Sequence, residues 1–112
     1  MKDYQEVLNR VEETINEWQK HPDTTDGDGV KEKLIVLRGC LYYLTGQQVI
    51  AHQRWHAVRN DIEGSEVFKD READMLVDEL YMFKHKIKSA SDVAATMAQQ
   101  LKILTEEKKN SN

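Results

Sequence analysis

Apolar residues recur along this chain at alternating steps of three and four, the spacing that lines up one face of an α-helix. In the first stretch, from about residue 3 to 20, Tyr4, Leu8, Val11, Ile15 and Trp18 keep that spacing. It predicts an amphipathic or coiled-coil helix, with Asp3 and Glu6 placed to cap its first turn. Pro22 and the polar run Asp23-Thr24-Thr25-Asp26-Gly27-Asp28-Gly29 then stop it, so 21–29 reads as a linker. The second stretch is predicted over 30–62. Its stripe is Val30, Leu34, Leu37, Leu41, Leu44, Gln48, Ala51, Trp55, Val58 and Ile62, and Val36, Cys40, Tyr43 and Ile50 widen the apolar face of its first half. Gly39 and Gly46 each cost about 1 kcal/mol against alanine in a helix interior, but the register survives both. One long helix is expected, with room for a kink near Gly46.

Glu63-Gly64-Ser65 is the next break, Gly64 suiting a helix C-cap and Ser65 an N-cap. The third stretch, predicted over 65–109, runs through Ala73, Leu76, Leu80, Phe83, Ile87, Ala90, Ala94, Met97, Leu101 and Leu104. Ser89-Ala90-Ser91-Asp92 is the one place where it is expected to split, and Asn110-Ser111-Asn112 reads as a frayed tail. At 1.5 Å per residue the first two helices are about 27 and 50 Å long and the third about 60 Å or more. Short connections make neighbours antiparallel, so the fold class is all-α: a long helical hairpin with a shorter N-terminal helix along one half. That half holds Val30–Leu44 and the alanines Ala90, Ala94, Ala95 and Ala98, which would let Trp18, Tyr42 or Tyr43 approach closely. The other half is two helices thick and carries Trp55, Val58, Ile62, Phe68, Leu76 and Leu80. A wide apolar seam left open marks an interface, so a homo-oligomer or a docked protein partner is expected there. The alternative is a third helix that bends at Ser89 and closes a compact bundle.

The chain has 112 residues, one domain's worth, with sixteen Lys+Arg, twenty Asp+Glu and a net charge of −4. That balance counts against a dedicated duplex-DNA binder and is too weak for a DNA mimic. Cys40 stands alone, which rules out an internal disulfide framework and suits a reducing cytoplasm; inside an apolar run it reads as a packed thiol. The N-terminal Met1-Lys2-Asp3-Tyr4-Gln5-Glu6 has no apolar signal-peptide core, and no apolar run approaches the about 20 residues of a membrane span. The expected location is a cytoplasm, with no membrane partner.

Four groups of residues invite a chemical reading. His52 and His56 share a helix face, as in metal sites built on one helical turn. Gln53 stands where a zinc hydrolase has its glutamate, and a third ligand would have to come from Asp74, Asp78 or Glu79. The plainer reading is an interface pair, able to confer pH sensitivity. Asp23, Asp26 and Asp28 fit no register of a calcium loop. The acids Glu63, Glu66, Asp70, Glu72, Asp74, Asp78 and Glu79 lack the facing Glu-x-x-Glu partner that helical pyrophosphohydrolases use for Mg²⁺; Glu13 and Glu17 are four apart, and acids early in a helix favour its dipole. Lys84, His85, Lys86 and Lys88 cluster near Arg54 and Arg59. In an oligomer Arg54, Arg59, Lys84 and Lys88 could converge on an anionic ligand, a nucleotide or a nucleic-acid strand. No catalytic constellation and no cofactor motif emerges.

A Leu-rich second helix, then Arg71-Glu72 and a charged helix ending in Gln99-Gln100-Leu101-Lys102-Ile103-Leu104-Thr105-Glu106, resembles small helical accessory proteins of bacteriophages over residues 30–108. The resemblance implies a viral protein in the host cytoplasm that acts by binding a phage or host component. It carries over no site residues. The expected function is therefore non-enzymatic protein binding, with an oligomeric nucleic-acid or nucleotide binder as one alternative and a metal-dependent helical enzyme at His52 and His56 as another.

Overall fold

The computed structural model describes residues 3–20 and 27–110, with side chains described as far as residue 107. The described residues form four α-helices and no strand: α1 (Asp3–Lys20), α2 (Gly27–Asn60), α3 (Glu66–Leu76) and α4 (Glu79–Asn110). The long helices α2 and α4 pack along each other as the hairpin. Within the linker, Asp23 and Asp26 lie outside the described residues, as do Ser111 and Asn112 of the tail. Gly27, Asp28 and Gly29 belong to the first turn of α2, which runs unbroken through Gly39 and Gly46.

One core runs the length of the molecule. Leu8 and Val11 of α1 meet Val30, Leu34, Leu37, Cys40 and Leu44 of α2 and Phe83, Ala90, Ala94 and Met97 of α4, all buried. Helix α1 covers α4 from Phe83, whose ring Tyr4 meets edge-on at 5.1 Å, to Gln100, whose Oε1 accepts from Trp18 Nε1 at 2.8 Å. Lys86 reaches Glu12 between them at 3.0 Å. The expectation that the short helix covers one half of the hairpin matches this arrangement. Tyr42 takes no part in it: the residue is 86% exposed, on the side of α2 away from the core. Val36 and Ile50 do not widen the core face either; they are 38% and 58% exposed.

The third stretch divides, though at Val77–Asp78 and not at Ser89–Asp92, where α4 is continuous. The buried positions there are Ala73, Val77, Leu80 and Phe83, while the predicted seam residue Leu76 is 56% exposed. The chain tightens to make that change. Val77 N–H donates to the Ala73 carbonyl (2.9 Å), and the next bonds, Leu80 N–H to Val77 O (3.2 Å) and Tyr81 N–H to Asp78 O (3.1 Å), span three residues instead of four. A turn of 3₁₀ character rotates α4 relative to α3, so Val77 drops into the core in place of Leu76.

Candidate interaction surface

The end of the hairpin is the site expected from sequence, and its geometry starts at the Gly64 turn. Gly64 has φ +143°, the one positive φ among the described residues. A side chain there is strained, and a Cβ would come within 2.7 Å of Phe68 Cδ1. Ser65 then caps α3, its hydroxyl accepting from Phe68 N–H at 3.2 Å. Together they turn α3 back along α2.

Helix α3 buries only one residue, Ala73. Its other anchors are polar. Trp55 Nε1 donates to Asp74 Oδ1 at 2.9 Å, and Arg59 binds Asp70 at 2.6 Å and Glu66 through a second nitrogen. Just past α3, Arg54 pairs with Glu79 and donates at 3.4 Å to the Leu76 carbonyl. Arg59 also lies over the Trp55 ring, 6.0 Å from its centroid. These contacts are mutual. Hydrogen bonds from Arg59, then its charge and that of Lys69, hold the Glu66 carboxyl below its ordinary value, and the two acids raise the Arg59 guanidinium above its own.

The six residues expected to form the interface divide under this arrangement. Leu80 is buried in the chain's own core, so it cannot serve an intermolecular seam. Trp55 and Val58 are half-buried against that core, and Ile62 is also half-buried. Phe68 and Leu76 remain open, at 47% and 56% exposure. Two residues outside the expected six, Val67 and Met75, are each 69% exposed. At 100° per residue, Val67, Phe68 and Met75 occupy an arc on the side of α3 opposite Ala73, with Leu76 at its flank. The signal of Val67 and Met75 in the sequence is that they are apolar yet off the seam.

The basic group fares differently from expectation. Arg54 and Arg59 are engaged by Glu79, Asp70 and Glu66, and Lys84 lines a shallow hollow with Asp74, Asp78 and Tyr81. Acids therefore interleave three of the four cations expected to receive an anion; Lys88 is exposed on α4. The two histidines do meet, His52 Nε2 to His56 Nε2 at 3.1 Å, with the Trp55 ring edge-on to His56 at 5.0 Å. The expected third ligand is not supplied. Asp74 accepts from Trp55, Glu79 binds Arg54, and among the described residues no three His, Cys, Asp or Glu are placed to hold a metal ion.

The fold defines an all-α helical hairpin with an N-terminal helix packed along half of it and an exposed apolar patch at its end. No described helix is long and apolar enough to cross a membrane. Comparison with known proteins finds no matching family model, curated protein or solved structure.

Proposed function

We propose that this chain is a non-enzymatic interaction protein whose hairpin end docks a protein partner. The observation that carries the reading is the patch of Val67, Phe68 and Met75, flanked by Leu76: large apolar side chains open to solvent on a helix that buries a single alanine. A helix that keeps its apolar residues on the outside gains little for its own fold. Contiguous exposed apolar surface is what a partner covers, and aromatic anchors such as Phe68 dominate interface energetics. The polar clamp from Arg54, Trp55 and Arg59 holds α3 in place without consuming that surface. On the resemblance to phage accessory proteins, the expected partner is a component of the phage or of the infected cell.

A nucleotide or nucleic-acid surface on Arg54, Arg59, Lys84 and Lys88 is the weaker reading, since Glu66, Asp70 and Glu79 already neutralise its arginines. The test is a photo-crosslinking amino acid at position 68, in the cells where the protein works. Adducts heavier than a multiple of this chain, lost on Met75→Glu, are expected. Adducts only at chain multiples would turn the patch into a self-association surface, and none at all would remove the reading.

A further inference from the structure

A second surface lies on the back of α2 and is independent of the hairpin end. Between Leu34 and Gln53 the only Lys, Arg, Asp or Glu is Arg38. The core side of this stretch is buried through Leu34, Leu37, Cys40, Leu44 and Ala51, yet the opposite side is apolar as well. Ile35, Val36, Tyr42, Val49 and Ile50 are 38% to 86% exposed there. The helix is thus apolar on two opposite sides, with Arg38, Thr45 and Gln47 between them, and a second apolar side open to solvent is what an assembly covers. Gly39 and Gly46 lie in the same exposed stripe, and a Cβ at either would meet no atom within 4 Å. Both weaken the helix, and no packing among the described residues requires them.

The order of these residues says what covers them. From 35 to 50 the sequence is Ile-Val-x-x-Gly-x-x-Tyr-Tyr-x-x-Gly-x-x-Val-Ile, the same read in either direction about the Tyr42–Tyr43 bond. A two-fold axis crossing an antiparallel helix pair at that bond sets residue i opposite residue 85 − i of the second copy: Ile35 by Ile50, Val36 by Val49, Gly39 by Gly46. A symmetric interface is made of one patch meeting itself, and this stripe of about 24 Å meets its own copy through its Ile35/Ile50, Val36/Val49 and Gly39/Gly46 pairs. Tyr42 is the open ring at the centre, since Tyr43 is half-buried against the chain's own core. Helical side chains lean toward their own N-terminus. Each Tyr42 ring therefore leans over the notch formed by its own Gly39 and Gly46 of the second copy. Scaled from their exposures, the five open residues present about 600 Å² per chain, so burying all of it in both copies would hide at most about 1,200 Å², against the about 1,000 Å² that a specific interface needs.

We infer that this chain forms an antiparallel two-fold dimer through the back of α2, centred on Tyr42 and Tyr43, with the glycine notches receiving the tyrosine rings. Light scattering on the full chain across a wide concentration range is expected to give twice the chain mass. Tyr42→Glu and Gly46→Leu are each expected to give the single-chain mass with undiminished helicity, since both side chains point into open solvent in the lone chain. Cysteine pairs in a Cys40→Ser background report direction: Ile35→Cys mixed with Ile50→Cys should oxidise to a mixed disulfide, and Ile35→Cys alone should not. A single-chain mass for the unmodified protein at every concentration would overturn the dimer. A dimer indifferent to both variants would overturn this face, and a self-linked Ile35→Cys would overturn the antiparallel arrangement. None of these outcomes bears on the hairpin-end patch, whose own test is the crosslink at position 68.

Discussion

Gly64→Ala is the sharpest probe of how the hairpin end is built. Holding a non-glycine residue at φ +143° costs about 1–3 kcal/mol. The new methyl also falls 2.7 Å from Phe68 Cδ1, closer than carbon atoms approach. Phe68 is nearly half exposed, so its ring can swing aside for about 1 kcal/mol of rotamer strain. Against these stands a gain of about 0.4–1 kcal/mol, because alanine restricts the unfolded chain. The net expectation is a loss of about 2 kcal/mol, which for a domain of this size lowers Tm by about 10 °C. Urea denaturation followed by far-ultraviolet circular dichroism measures it, and Phe68→Ala as a second background separates the two causes. If the ring clash matters, Gly64→Ala costs about 1 kcal/mol less when Phe68 is absent; if backbone geometry alone acts, the costs simply add. A Gly64→Ala protein within about 0.5 kcal/mol of the original would refute the reasoning, since neither the turn nor the contact would then constrain the chain.

Phe83→Ala empties a fully enclosed site and removes the Tyr4 edge contact, so a loss of about 3–5 kcal/mol is expected; a urea-derived loss below about 2 kcal/mol would mean that α1 does not close over α4. Glu66 is held below its ordinary value, so its contribution is fully present above the normal carboxylate range and is lost as pH falls through the lowered folded value. Acid titration followed by the amide resonances of residues 66–76 should therefore show α3 loosening below that range, and Glu66→Gln should loosen it already at neutral pH; an α3 insensitive to both would mean that Arg59 does not hold it. Burial pushes the Cys40 thiol up, with the Arg10 charge opposing, so a thiol reagent should modify it at least tenfold more slowly than in urea. Val11→Ala should speed that reaction by loosening α1, and equal rates in folded and unfolded protein would contradict the packing.

The helices and the hairpin are legible in the sequence because their signal is local: strict three-and-four spacing, a Gly-Ser break, and a length mismatch that forces α1 onto one half. The division at Val77 is not. Ala73, Leu76, Leu80 and Phe83 keep perfect heptad spacing, and no Gly or Pro interrupts them, so the pattern favours an unbroken helix. Packing decides otherwise, burying Val77 and turning Leu76 outward, and the acids Asp78 and Glu79 at the start of α4 are the one available hint. The candidate site divides for a related reason. A seam read from one helix does not say which of its residues the same chain covers, so its spacing points Leu80 outward and passes over Val67 and Met75, which lie off it. Arg54 and Arg59 look like free cations in the sequence because their partners lie seven to twenty-five residues away, beyond the reach of any local pattern.

The shape of the hairpin governs how the molecule moves through solution. It measures 68 × 28 × 20 Å, and its radius of gyration of 18.7 Å compares with about 13 Å for a compact globule of this length. A rod of that aspect ratio suffers more friction than a sphere of equal mass, so it sediments slowly and leaves a sizing column early, in the volume of a considerably heavier globular protein. Side-by-side pairing through the middle of α2 thickens the rod more than it lengthens it. Drag therefore rises less than twofold when mass doubles, and the sedimentation coefficient registers the association more strongly than the elution volume does.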